Sequence, residues 1–388
     1  MPLLNIPIEF FLFATTLLGV AIFHKRNLEV AVAGLVVITL YKGLIAQDVN
    51  LIAHFLHEER LVLNLLGLLL GFAILARHFE LSKVPDWLPR FLPDDWKGGF
   101  VLLVMVAILS TFLDNIAAAI IGGVVAGHVY KHRVSVGYLA AIVAASNAGG
   151  AGSVIGDTTT TMMWIAGVPA LHVADAFIAA IVAVAFSGVV AARAQQRYQP
   201  VTKNPPAHLH LDGGHLLIVG LIIVGAIAAN IGLDFPAAGV WAAIVLGGFI
   251  RKTPWYEVTK AIKGALFLVS LVLSASLMPV KELPAPSPES AFGLGFVSAV
   301  FDNIPLTALA LYQGGYDWGI LAFSVGFGGS MIWFGSSAGV AMSNLYPQAK
   351  NTLIWLREGW HVPVAYVLGF LVMYLLLGWH PDVLPAKS

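Results

Sequence analysis

The sequence has no cysteine and little charge. The first absence excludes disulfides and thiolate metal sites anywhere in its 388 residues. Only 11% of the residues are charged, against about 25% in soluble globular domains, while 59% are hydrophobic and the mean hydropathy is +0.85. A chain of this composition is an integral membrane protein. Neither sign of charge is in excess, with 21 basic and 21 acidic residues, so no nucleic acid or strongly charged partner is expected beyond the lipid bilayer. P-loop, dinucleotide-binding, HExxH and G-x-S-x-G elements are all missing. The sequence therefore predicts a protein that is not an enzyme, holds no cofactor and does not drive transport with ATP by itself. Met1 to Phe23 lacks the basic start of a signal peptide and is expected to be a retained first span.

What is present is a set of apolar runs. Runs long enough to cross about 30 Å of hydrocarbon fall near 3–23, 28–46, 61–79, 172–192, 214–233, 236–250, 264–280 and 361–379, the 236–250 run being short. Four others are interrupted. Asp114-Asn115 breaks 99–127 and Asp302-Asn303-Ile304-Pro305 breaks 290–313, where Pro305 removes a backbone donor and disfavours helix at Ile304. Glycines break 136–168 at Gly149, Gly150, Gly152 and Gly156, and 317–345 at Gly328, Gly329 and Gly335. One order of elements thus occurs twice, once in 1–192 and again in 214–388. Between them, the polar stretch 193–213 is expected to be a cytoplasmic linker.

Positive charge decides whether the Asp-Asn runs cross or dip back, because Lys and Arg collect on the cytoplasmic side. If both are re-entrant hairpins, 17 of the 21 basic residues lie on one face; Arg60, Lys281 and Lys387 lie on the other, and Lys42 stays within or at the end of the second span. If both cross, the loops split nearly evenly. The re-entrant reading gives each half five crossings, so the second half is upside down relative to the first, as in many secondary transporters. The expected fold is an all-α polytopic membrane protein: an inverted repeat of about ten transmembrane helices, two re-entrant hairpins entering from opposite faces, and two Gly-broken helices. Both termini are expected outside, in the inner (plasma) membrane of a bacterium.

Non-helical backbone at membrane depth survives only where protein buries it or it lines a wet cavity, so four paired interruptions point to one central site. An intramembrane carboxylate costs about 2.5–3.5 kcal/mol on insertion scales and marks function by default. Asp114 and Asp302 could simply cap the helices that follow them, yet their recurrence in both halves favours a shared ion or proton role. Asn115 and Asn303 offer amide oxygens to a cation or hold the tips closed. Asp157, with Thr158 beside it, adds a carboxylate where the second half has Ser336, and an interhelical hydrogen bond is the expected role of Asn147. Glycine breaks can free carbonyls for a small hard cation or let helices pack closely. The histidines lie at span ends without metal-ligand spacing. Three carboxylates with no Lys or Arg placed beside them by the topology suit a cation or proton better than an anion.

Leu113-Asp114-Asn115, Ser153 through Thr160, Phe301-Asp302-Asn303-Ile304-Pro305 and Phe334 through Val340 resemble the ion transporter superfamily of citrate, arsenite and sodium/proton carriers. The likeness is greatest to its NhaD-type sodium/proton antiporters. It covers nearly the whole chain in element order and four short patches in motif. It implies exchange of Na⁺ or Li⁺ for H⁺ by alternating access, with Asp114, Asn115, Asp157, Thr158, Asp302, Asn303 and Ser336 as ion- or proton-binding residues, and a possible homodimer. Dicarboxylate carriers of the superfamily typically have Ser-Asn-Thr at their tips; Asp-Asn-Ile here loses a hydroxyl and adds negative charge. The alternative is H⁺- or Na⁺-coupled transport of citrate, a dicarboxylate or an oxyanion. An intramembrane aspartyl protease is a remote third reading: it needs Gly-x-Gly-Asp, and Val154 stands at the first glycine position.

Overall fold

Apolar stretches with no polar alternation fold as helices, since lipid offers the backbone no partner, and the described residues contain helices and no strand. The structure is a computed structural model and describes residues 7–23, 26–46, 50–202 and 210–382. Part of the expected linker, 203–209, and Lys25 and Lys387 of the charge argument lie outside the described residues.

The first half runs α1 (Ile8–Ile22), α2 (Asn27–Leu40), α3 (Leu51–Leu81), the short α4 (Val84–Trp87), α5 (Trp96–Ser110), α6 (Asn115–Val129), α7 (Val136–Ala151), α8 (Thr158–Ile165), α9 (Ala170–Ala174) and α10 (Ala176–Tyr198). The second runs α11 (Gly213–Leu233), α12 (Pro236–Gly247), α13 (Tyr256–Ser276), α14 (Pro288–Ser298), α15 (Asn303–Gln313), α16 (Trp318–Gly328), α17 (Ser337–Leu345), α18 (Thr352–Glu358) and α19 (His361–Leu377). Three helices, a helical hairpin, a helix broken in two, a short helix and a closing helix occur in each half in the same order. α10 reaches Tyr198, so the expected linker begins later than residue 193. Its polar start is helical because Gln195 is buried, accepting from Ser135 N at 2.8 Å and donating to Arg133 O at 3.0 Å, while Arg193 lies 4.5 Å over the Trp96 ring.

Among the described residues, five helical stretches are each long and apolar enough to cross a bilayer, and a sixth is gained if α18 and α19, bent by 55°, count as one span. Six other apolar helices among these described residues are 10–17 residues long, and of these α5, α6, α7 and α16 begin or end at the polar and glycine interruptions. α5 and α6 have 15 residues each, which is about 22 Å at 1.5 Å per residue and short of the ~30 Å core. α14 and α15, at 11 residues each, are shorter still.

The halves interlock by exchange. α17 of the second half packs on α6 of the first, α8 of the first packs on α15 of the second, and α7 packs on α16. Lys42, the basic residue left within a span, is buried in the π-helical turn Tyr41–Ala46 that ends α2 and is paired with Glu9 of α1 at 2.8 Å. That pairing explains how a lysine is tolerated there, since buried charge is retained only with a partner.

Candidate functional site

Four polar residues stand at the N-caps of the four helices that restart after the interruptions: Asp114 for α6, Asp157 for α8, Asp302 for α15 and Ser336 for α17. The free N–H groups of a restarting helix need acceptors, and three of the caps supply one. Asp302 accepts from Ile304 N at 3.1 Å, Ser336 from Gly339 N at 3.3 Å, and Asp157 Oδ1 from Thr159 N and Oγ1, both at 2.9 Å. Asp114 makes no side-chain cap hydrogen bond. Its carboxylate lies near the backbone N–H groups of Asn115 and Ile116 at the start of α6 without meeting hydrogen-bond geometry.

Asn115 holds the first hairpin to the first broken helix. Its Nδ2 donates to Asp157 Oδ2 at 2.7 Å and to Asn147 Oδ1 at 3.1 Å. Asn147, fully buried on α7, passes the network on by donating to Ser330 Oγ at 2.9 Å and Ser336 Oγ at 3.1 Å in the second half. The expected interhelical role of Asn147 is therefore what the structure gives it. One chain of side chains, Asp157–Asn115–Asn147–Ser330 and Ser336, joins both halves in their centre.

The glycines make the breaks fit. A Cβ at Gly149 or Gly156 would meet the Ala107 and Ser110 carbonyls of α5, and one at Gly328 or Gly335 would meet the Gly295 and Ala299 carbonyls along α14. Gly150 and Gly329 lie against the carbonyls of Gly156 and Gly335 within their own breaks. Close packing is thus a role of these glycines, repeated in both halves. The carbonyls freed by the first break are partly spoken for: Thr160 Oγ1 donates to Ser153 O at 2.5 Å and Thr161 Oγ1 to Val154 O at 2.9 Å. The threonine run replaces, from side chains, the backbone partners that unwinding removed.

Two adjoining cavities of about 270 Å³ each collect the polar tips. The first is lined by Asp114, Asn115, Asp157, Thr158, Thr161 and Asn303, and the second by Asp302. Asn27 and Ser337 line both. Asp157 is 2% exposed and close enough to feel the charges of both Asp114 and Asp302. Ser336 lines neither cavity, because its hydroxyl faces Asn147 and Gly339; the neighbouring Ser337 takes the wall.

The polar lining residues that sequence reasoning missed are Ser337, Asn27, Lys260 and Asn344 of α17. Ser337 was signalled by the Ser336-Ser337 pair. Asn27, at the start of α2, carried no signal. Lys260 lines the first cavity from α13 with its side chain 66% exposed, Nζ lying 3.2 Å from Glu257 and 4.6 Å over the Tyr256 ring. Its charge is thus already partnered at the cavity wall.

The sequence pattern of the citrate transporter family, CitMHS, matches residues 10–328. The chain belongs to that family. Sodium/proton antiporter 1 of Arabidopsis thaliana is 28% identical over 335 residues, covering 74% of this chain and 57% of its own. Sodium/proton antiporter 2 of the same plant is 24% identical over 380 residues, with 85% of each covered. The Na(+)/H(+) antiporter NhaD of Vibrio parahaemolyticus is 27% identical over 306 residues, covering 64% of this chain and 72% of its own. This chain thus spans little more than half the length of the first of these relatives. Membership and the apolar helices make this chain a multi-pass membrane protein of a transporter family.

Proposed function

We propose that this CitMHS protein exchanges Na⁺ or Li⁺ for H⁺ by alternating access, with Asp114, Asp157 and Asp302 as the competing sites. The observation that carries the reading is the convergence of these three carboxylates with four helix N-termini. Each N-terminus is equivalent to about half a positive charge, so four offset roughly two of the three carboxylates. About one net negative charge remains. A single monovalent cation or a single proton neutralises it, which is what an exchanger that alternates between the two requires. If the tips carried neutral residues, the same N-termini would leave the site positive and suited to a carboxylate or oxyanion substrate.

Asp114, which makes no cap hydrogen bond, Thr158, and the amide oxygens of Asn115 and Asn303 are the ligands we assign to the cation. Gly149, Gly150, Gly156, Gly328, Gly329 and Gly335 act by letting the breaks approach the hairpins. Ser336 acts one layer back, through Asn147, with Ser337 at the wall. The orientation that fits the distribution of positive charge puts residues 1–192 and 214–388 in opposite senses, with hairpins 99–127 and 290–313 entering from opposite faces and both termini external. The relatives named sodium/proton antiporters agree with the cation reading.

The test is proton flux in proteoliposomes driven by a panel of Na⁺, Li⁺ and K⁺, with labelled citrate and succinate uptake measured in parallel. Na⁺- or Li⁺-driven flux that disappears in Asp114→Asn and in Asp302→Asn is expected. Saturable carboxylate uptake without cation/proton exchange, or near-normal exchange in both variants, would overturn the assignment.

A further inference from the structure

A third cavity lies away from the carboxylates and shares none of their lining. It occupies about 570 Å³ between the start of α7, the end of α10 and the corner where α18 turns into α19. At its wall stands His361, the first residue of α19, only 2% exposed, with neither ring nitrogen hydrogen-bonded. The Gly137 backbone is near the ring but outside hydrogen-bond geometry.

The charges around this histidine are mostly positive. Arg133, Arg357 and His132 line the cavity and are exposed. Arg133 lies 5.5 Å over the Tyr198 ring, and neither arginine has an ion pair among the described residues. The one acidic lining residue, Glu358, is engaged: its Oε2 accepts from Gly137 N at 3.1 Å at the start of α7. The surroundings are those of a bilayer interface. Trp360 is 50% exposed, and α18 turns Leu353 (79% exposed) and Leu356 (42%) outward. An exposed tryptophan beside outward leucines is the pattern of a helix lying at the head-group level.

We propose that this cavity binds a phosphate-bearing anion, as the head group of phosphatidylglycerol and hydrogen phosphate both are. The two guanidinium groups pair with the phosphate oxygens, the interaction at which arginine excels. Basic pockets between membrane helices are established positions for anionic head groups. The site does not depend on which ion the transporter carries.

Because His361 is buried and its replacement could disturb folding, the test changes the exposed arginines. The full chain, purified in detergent, is melted in the presence of inorganic phosphate, phosphatidylglycerol or phosphatidylcholine, and compared with Arg133→Gln/Arg357→Gln and with the control Lys252→Gln/Lys263→Gln. The expected result is a melting temperature several degrees higher in phosphatidylglycerol than in phosphatidylcholine, lost in the arginine double variant and kept in the control. The same pattern with inorganic phosphate alone assigns the site to a soluble anion. No rise with either anion, a rise retained without the arginines, or an equal loss in the control overturns the proposal.

Discussion

At the scale of single residues, the three aspartates are not equivalent, although the two tips share the same Asp-Asn-Ile sequence. Asp157 accepts from Asn115, Thr159 N and Thr159 Oγ1, whereas Asp114 makes no cap hydrogen bond. Asp157→Asn keeps an acceptor for Thr159 but sets an amide against the Asn115 amide. We expect it to abolish exchange and to lower the melting temperature, while Asp114→Asn abolishes exchange with little change in melting. Flux assays and thermal unfolding on the same preparations separate the two. Asn147→Ala should cost about 1–3 kcal/mol, because Asn115, Ser330 and Ser336 all lose a buried partner; denaturation at or near the wild-type midpoint would contradict the network.

At the scale of elements, the packing of the breaks on the hairpins sets how closely the four N-termini converge. Inserting a methyl there should act as overpacking, at about 1–3 kcal/mol. Gly149→Ala and Gly328→Ala are expected to melt lower than wild type and to exchange poorly, since each Cβ meets backbone that has no rotamer to give. Gly220→Ala on α11, where nothing lies within 4 Å of the added carbon, should melt no lower. Circular dichroism melts of the three variants check the contrast. The Glu9–Lys42 pair belongs to this scale too, tying α1 to the end of α2. Removing one partner of a buried pair costs about 3–5 kcal/mol, so Glu9→Gln should destabilise without altering the apparent affinity for Na⁺.

For the whole molecule, competition of one cation and one proton for one site has a definite sign. As pH falls the site fills with protons, so the Na⁺ concentration giving half-maximal exchange rises, by up to about tenfold per pH unit once protons dominate. The cation should also stabilise the folded protein: at 100 times its dissociation constant, binding adds about 2.7 kcal/mol. Melting in NaCl or LiCl against choline chloride at several pH values reads both effects. A midpoint unmoved by either cation at high pH would contradict a shared site. The interlocking of α6 with α17 and of α8 with α15 predicts one cooperative transition for the two halves.

The sequence by itself determined the class, the family resemblance and the positions of the four interruptions, because long apolar runs permit only helix and every polar break within them stands out. It also indicated that the breaks come in two matched sets. Only the tertiary structure decided which of the polar residues face a cavity. That Ser337 and not Ser336 lines the walls, that Thr160 and Thr161 satisfy unwound backbone, that Lys260 reaches the first cavity and that Lys42 finds Glu9 all depend on how distant helices meet. The reason is physical: helix formation in lipid is dictated locally by backbone hydrogen bonding, whereas the partner of a buried side chain is set by contacts between segments far apart in the chain.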